Sequence, residues 1–279
     1  MTDRTDAEAM ARDLLVSADA DWAFDPETVR IDDADVLTGL SPPVRRWWVD
    51  AFGAYLEANG GFFTPPQREA IPHIDAGRHC LVASPTGSGK TLAAFTAVLD
   101  DLFARERQGD LENAVYCLYV SPLKSLANDI ARNLEAPLEG IAARIADRTS
   151  EEPTVRQAIR HGDTSDADRA AMLEEVPHVL NTTPETLAIL LNAPKFREKL
   201  RTVEYVVVDE IHALAANKRG THLSVSLERL TDLADATPTR IGCSATVEPL
   251  ETIADFLVGR ERVAGTVGDV DGRAVRPRA

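Results

Sequence analysis

Two short segments hold residues that could handle a triphosphate. The first is Ala83-Ser84-Pro85-Thr86-Gly87-Ser88-Gly89-Lys90-Thr91, which follows an apolar run and precedes a helical pattern. Gly87 and Gly89 let the backbone turn its N–H groups toward phosphate oxygens, with Thr86 and Ser88 completing the loop. Lys90 can reach the β- and γ-phosphates, and the Thr91 hydroxyl can ligate Mg²⁺. The helix that opens here adds partial positive charge at the same place. Such loops usually begin with glycine; here the small residue Ala83 takes that position.

The second segment is Tyr205-Val206-Val207-Val208-Asp209-Glu210-Ile211-His212. It sets two carboxylates at the exit of an apolar strand, where buried charge needs a partner. A metal ion supplies one: Asp209 would hold Mg²⁺, and Glu210 would orient or deprotonate the water that attacks phosphorus. His212 could link this loop to a neighbouring one. Standing alone, an Asp-Glu pair also suits an ordinary helix start, because the dipole favours acids there.

Elements with the right order exist to position both segments. Strands are expected at His79–Ala83, Val115–Val120, Val155–Ile159, His178–Asn181, Tyr205–Val208 and Arg240–Cys243. Helices are expected at Thr91–Arg107, Leu123–Leu134, Pro184–Leu191, Thr221–Asp235 and Pro249–Val258. Continuous apolar strands suit a parallel sheet covered on both faces, and strand–helix alternation makes the fold α/β, an open, doubly wound sheet. Ligands of such sheets bind outside the carboxyl ends of the strands, where both segments fall. Upstream, residues 42–59 read as an amphipathic helix with Trp47, Trp48, Phe52, Tyr55 and Leu56, and Gly60-Gly61 breaks the chain after it.

The two segments resemble the phosphate loop and the DExH box of superfamily 2 helicases. Within that superfamily the chain is most similar to the large helicase-related (Lhr) group. The shared wording includes Phe63-Thr64-Pro65-Pro66-Gln67, Ser121-Pro122-Leu123-Lys124-Ser125-Leu126, His161-Gly162-Asp163-Thr164, Thr182-Thr183-Pro184-Glu185-Thr186-Leu187, Gly220-Thr221-His222-Leu223 and Ser244-Ala245-Thr246. The resemblance covers about residues 62–259. It implies a RecA-like P-loop NTPase lobe spanning 41–260, an acidic and partly disordered extension at 1–40, and a linker at 261–279 toward a second lobe.

It also implies roles. Gln67 would read the adenine edge, with Phe62 and Phe63 either flanking the base or packing in the core. Ser121, Lys124, Thr183 and Pro184 would line the nucleic-acid track through hydroxyls and helix-start N–H groups. A helix cap at Thr183-Pro184 and a phosphate site there are compatible, since both use the same N–H groups. Ser244 and Thr246 would couple nucleotide state to strand movement, with hydrogen bonds to His212 among the options. The His161–Thr164 stretch fits a loop near the track and a structural turn equally well. The implied ligands are ATP with Mg²⁺, single-stranded or partly duplex DNA or RNA, and a second RecA-like lobe in cis or trans. The implied polarity is 3′ to 5′.

Composition bounds these readings. The 279 residues carry a formal net charge of −15 and a pI near 4.8, unlike most phosphate binders. Acids crowd the first 40 residues, and the lysines are Lys90, Lys124, Lys195, Lys199 and Lys218. An acidic, lysine-poor surface is what adaptation to high salt produces, and strong screening would blunt repulsion from a polyanion. Cys80, Cys117 and Cys243 form neither a zinc pattern nor a disulfide framework and suit a reducing cytoplasm. No run is apolar and long enough to span a membrane. A complete motor of this type needs a second lobe, so the expectation is a fragment or one half of a split motor. Alone it should bind ATP–Mg²⁺ and hydrolyse it weakly. A nucleotide-dependent binding module without turnover is the alternative. A P-loop kinase has no need of the track segments.

Overall fold

In each of the four-residue strands Cys80–Ala83, Cys117–Val120 and Val179–Thr182 every residue is buried. A strand buried on both faces must be apolar on both, which is why these runs lack the alternation of a half-exposed strand. The computed structural model describes residues 30–149, 153–246, 249–259, 266–268 and 274–275.

In chain order the elements are α1 (Ile31–Gly39), α2 (Pro42–Asn59), α3 (Pro65–Asp75), β1 (Cys80–Ala83), α4 (Lys90–Gln108), β2 (Cys117–Val120), α5 (Lys124–Thr149), β3 (Gln157–Arg160) and α6 (Asp166–Glu174). There follow β4 (Val179–Thr182), α7 (Pro184–Leu190), α8 (Pro194–Arg197) with a 3-10 turn at Glu198–Leu200, β5 (Tyr205–Val208), α9 (Ile211–Ala215), α10 (Lys218–Leu233), β6 (Thr239–Ser244), α11 (Leu250–Val258), β7 (Thr266–Gly268) and β8 (Ala274–Val275). The eight strands form one sheet in the order β3-β4-β2-β5-β6-β1-β7-β8. All neighbours are parallel except β8, which runs antiparallel to β7.

Successive strand residues point to opposite faces. Cys80, Val82, Tyr119, Val207 and Cys243 join α1 to α5 in one core. Leu81, Leu118, Val206 and Val208 join α7 to α11 in the other, with Met172 and Leu173 of α6 packed against it. The chain therefore leaves β1 onto one face and β5 onto the opposite face. A crevice at the carboxyl edge between two such exits is where doubly wound sheets bind ligands.

Three parts of the sequence reading are corrected. Ile31–Gly39, expected within an acidic, partly disordered extension, is a helix whose Leu37 is buried in the core. Its Asp33 is 0% exposed and accepts from Phe62 N–H and Arg68 Nε, each at 2.6 Å. An acid-rich stretch reads as solvated unless its distant partner is known. Residues 1–29 lie outside the described residues. The expected linker at 261–279 contributes β7 and β8; β7 extends the sheet beside β1, Cys80 pairing with Thr266, while its other residues lie outside the description. The helix expected over Leu123–Leu134 runs on to Thr149, and α3 and α6 were not foreseen.

Candidate active site at the carboxyl edge of the sheet

The phosphate loop begins where β1 ends. Ala83 pairs with Ser244 of β6, and Ser84 N–H donates to the Ser244 carbonyl at 3.1 Å. Gly87 and Gly89 both have φ +81°, the left-handed region that residues with a Cβ avoid. At Gly89 a Cβ would also displace the end of the Gln67 side chain. Lys90 opens α4 and is only 9% exposed. Its Nζ donates to the carbonyls of Ser84 at 2.6 Å and Pro85 at 2.8 Å. Thr86 belongs to the same loop, and Thr91 is half-buried in the first turn of α4.

Gln67 sits beneath this loop, 4% exposed. Its side-chain carbonyl accepts from Thr64 N–H at 2.9 Å as half of a capping box for α3. Its amide donates to Gly89 O at 3.3 Å, and Thr64 Oγ1 donates to Ser88 O at 2.8 Å. The cap of α3 and the phosphate loop are thus one hydrogen-bonded unit. The amide group keeps one N–H and one lone pair for another partner. Phe62 and Phe63 are buried, Phe63 against Trp48. Thr64 was missed as a site residue, although Thr-x-x-Gln is the written signature of a capping box.

The acidic segment leaves β5 two strands away from β1, across β6. Strands lie about 4.8 Å apart, so the two exits are separated by roughly 10 Å, the reach of a triphosphate and its metal. Asp209 is 8% exposed, and its N–H donates to Val120 O at 2.9 Å. Glu210 has φ +45°, ψ +40°, and is the single non-glycine residue with positive φ among the described residues. Such strain persists where surrounding structure enforces it, and it concentrates at functional sites. Cys243 of β6 stands between the exits: its thiol points at Lys90 O, 4.0 Å away. Burial raises its pKa well above normal, and the Asp209 charge raises it further. One side chain therefore touches the phosphate-loop helix and feels the acidic loop. Tyr119 of β2 lies on the same side, its hydroxyl buried. Its pKa is also raised, by burial first and Asp209 second. Neither Tyr119 nor Cys243 was foreseen, since an apolar strand gives no sign of what its exit will face.

His212 bridges two loops. Its Nε2 lies 3.3 Å from Glu210 Oε2, and its Nδ1 lies 3.2 Å from Ser244 Oγ. Ser244 can give its one proton either to that nitrogen or to the Ala245 carbonyl at 2.8 Å. Thr246 is exposed and makes no hydrogen bond with this group.

The remaining expected residues gather at the exits of β2, β4 and β3. Ser121 is fully buried; its N–H donates to Thr182 O and its Oγ to Leu123 O. Thr183 caps α7, its Oγ1 accepting from Thr186 N–H at 3.4 Å, and Pro184 occupies the first turn. Proline there leaves no further N–H to satisfy. Lys124 Nζ pairs with Asp163 Oδ2 at 2.6 Å, which brings the His161–Thr164 loop to the same place. Glu185 and Arg219 form a two-pronged pair at 2.5 and 3.0 Å. Arg219 follows Asn217, which caps α10. Gly220 is needed beside it because a Cβ would run into the Leu214 carbonyl. A cavity of about 670 Å³ opens next to this region, between β3 and α6, and is bounded by residues such as Gln157, Asp163 and Met172. It is separate from the Lys90–Asp209 crevice.

The chain is similar to known proteins in sequence and in fold. The DEAD/DEAH box helicase family matches residues 64–256. The chain is 55% identical over 220 residues to the ATP-dependent helicase Lhr-Core of Methanothermobacter thermautotrophicus, covering 79% of this chain and 24% of that protein. It is 51% identical over 227 residues to Lhr-Core protein 2 of Thermococcus barophilus, covering 81% and 25%. It thus spans about a quarter of the length of these curated relatives. Among solved structures, the Mycobacterium smegmatis helicase Lhr bound to ssDNA and AMP-PNP superposes with a TM-score of 0.74 at 43% identity, over 83% of this chain and 28% of that one. Among the described residues no helix is long and apolar enough to cross a membrane.

Proposed function

The chain belongs to the DEAD/DEAH box helicase family, and from that premise we propose that it forms the ATP-binding lobe of an Lhr-like motor that couples ATP hydrolysis to movement along DNA or RNA. The observation that carries this reading is the approach of Lys90 and Asp209 to the one Cys243 thiol between the exits of β1 and β5. A triphosphate fits the phosphate loop because the N–H groups at the start of α4 have no partner within the helix and two left-handed glycines open the turn. Lys90 would exchange its two carbonyl acceptors for phosphate oxygens. Gln67 would offer its remaining N–H and lone pair to the base.

Thr91 and Asp209 fit Mg²⁺: one hydroxyl and one carboxylate are hard oxygen donors, and this ion takes few protein ligands beside phosphates and water. When bound, Mg²⁺ would neutralise charge on the phosphates. Glu210 would accept the proton of the attacking water, with its carboxylate held against His212. Ser244 would connect that histidine to β6, and Thr246 would continue the connection outward. Single-stranded DNA or RNA would lie over Ser121, Lys124, Thr183 and Pro184; the mycobacterial relative is bound to ssDNA. A second RecA-like lobe, in the same polypeptide or another, would close over ATP. Its arginine finger would supply about 10³–10⁵ in rate, so this lobe by itself should turn over slowly.

The test is binding of a fluorescent ATP analogue with Mg²⁺ to wild type, Lys90→Ala and Asp209→Asn. Wild type should bind, Lys90→Ala should lose affinity, and Asp209→Asn should lose its Mg²⁺ dependence. Equal binding by all three proteins would remove the basis of the proposal.

A further inference from the structure

We propose that Asp163 and Glu185 are internal competitors for nucleic-acid phosphates: each holds a basic side chain at the track, and a single strand binds by displacing the carboxylate. This rests on the reading of the β2–β4–β3 exits as the strand track. Lys124 begins the helix after β2, while Asp163 comes from the loop after β3, and β4 lies between them. The pair at 2.6 Å therefore spans the exit of β4, where Thr183 and Pro184 sit.

Asp163 is held in place for this. Thr164 N–H donates to His161 O at 3.2 Å, His161 N–H to Thr164 Oγ1 at 3.0 Å, and Asp163 N–H to His161 Nδ1 at 3.2 Å. The loop is thus closed on itself, and Lys124 Nζ lies over Gly162. The hydrogen bond from Lys124 lowers the Asp163 pKa, so the competitor stays charged at neutral pH. The second pair has the same form. Glu185 stands in the first turn of α7, directly after the capping Thr183, and Arg219 grips it with two N–H groups. That hydrogen bonding likewise lowers the Glu185 pKa. Both pairs are open to solvent, with Lys124 and Asp163 side chains 47% and 69% exposed. A phosphodiester can reach them without unfolding anything.

The consequence is electrostatic. A free lysine that binds a single-strand phosphate releases condensed cations and adds about 0.7 to the slope of log affinity against log salt. Lys124 instead trades one anion for another, and the carboxylate it leaves collects a cation from solution. Release at the phosphate is offset by uptake at Asp163. Binding is then weaker at low salt and less sensitive to salt than the count of basic residues suggests.

The experiment is fluorescence anisotropy of labelled single-stranded DNA and RNA across a salt series, with ATP analogue and Mg²⁺. It compares wild type, Asp163→Asn, Glu185→Gln, Lys124→Ala and the double variant Asp163→Asn/Lys124→Ala. Thermal melts check that each folds. Asp163→Asn should bind about fivefold tighter at low salt, the effect of one unit charge at roughly 4 Å in water. Its salt slope should steepen by about 0.7. Glu185→Gln should move the same way, Lys124→Ala should weaken binding, and the double variant should show no gain over Lys124→Ala. If Lys124→Ala weakens binding but Asp163→Asn and Glu185→Gln leave affinity and slope unchanged, the competitor proposal is wrong and the track reading stands. If no variant differs from wild type, or no oligonucleotide binds at any salt, the track reading itself fails and the proposal with it.

Discussion

The two halves of the sheet's carboxyl edge handle charge in opposite ways. At the exits of β1, β6 and β5, Lys90 and Asp209 are almost fully buried, and their surroundings are tied together across strands by Thr64, Gln67, Cys243, His212 and Ser244. At the exits of β2, β4 and β3 Ser121 and Thr183 are buried neutral hydroxyls, the pairs Lys124–Asp163 and Arg219–Glu185 are exposed, and Arg160 at the end of β3 is half-buried over the Phe196 ring. Phosphoryl transfer needs charges fixed in a dry place, where they act strongly and need no rearrangement. A strand that slides needs contacts that are alike at every nucleotide and easily exchanged. Under the proposed function, one edge of one sheet would serve both needs, with Lys90 and Asp209 buried at one half and exposed ion pairs at the other.

The largest effect that could break this contrast is Lys90→Ala. Removing a donor of this kind should lower nucleotide turnover by about 10²–10³, measured by phosphate release with a second lobe supplied, while strand affinity without nucleotide stays level. A parallel loss of strand affinity would show that the halves are not separate. Next comes Glu210→Gly, which should raise stability by about 1 kcal/mol in chemical denaturation by relieving the positive φ, yet slow hydrolysis about 10²-fold. A variant that is both less stable and inactive would mean that Glu210 is not strained. In the other half, Thr183→Ala should cost about 1 kcal/mol through the lost cap and weaken strand binding a few-fold, leaving the nucleotide affinity unchanged in the same titration.

An effect that touches neither half comes from the amino end of the sheet. Burial first, and the Arg156 charge second, lower the His178 pKa from 6.5 to about 4, and its Nδ1 accepts from Arg156 N–H at 3.0 Å. The unfolded chain takes up this proton before the folded one. Stability from this group is therefore complete above about pH 6.5 and is lost as pH falls toward about 4. His178→Asn should flatten that part of the melting-versus-pH curve without touching nucleotide affinity.

What could be read from sequence follows from how local each feature is. The phosphate loop and the acidic exit are written in consecutive residues, and Val206-Val207-Val208 announces a doubly covered strand by itself; all three are buried. The order of the helices and the six central strands came through for the same reason. Asp33 did not, because its two partners are Phe62 and Arg68, and nothing beside it in the chain distinguishes a buried acid from a solvated one. The pairing of Lys124 was not legible either, because Asp163 meets it only after the chain has passed through α5 and β3. β7 is three residues long, and only its place beside β1 makes it a strand.

That place beside β1 also sets an order in time. The phosphate-loop strand has β6 on one side, Cys80 opposite Ile241, and β7 on the other, Cys80 opposite Thr266. Both neighbours leave the ribosome long after it does, whereas β2, β4 and β5 can pair as soon as β5 emerges. Contacts so distant along a chain close slowly. The β2–β4–β5 part of the edge can therefore be assembled on a nascent chain before the loop after β1 has its neighbours, and β1 must wait, apolar and unpaired, until Ser244 has been made.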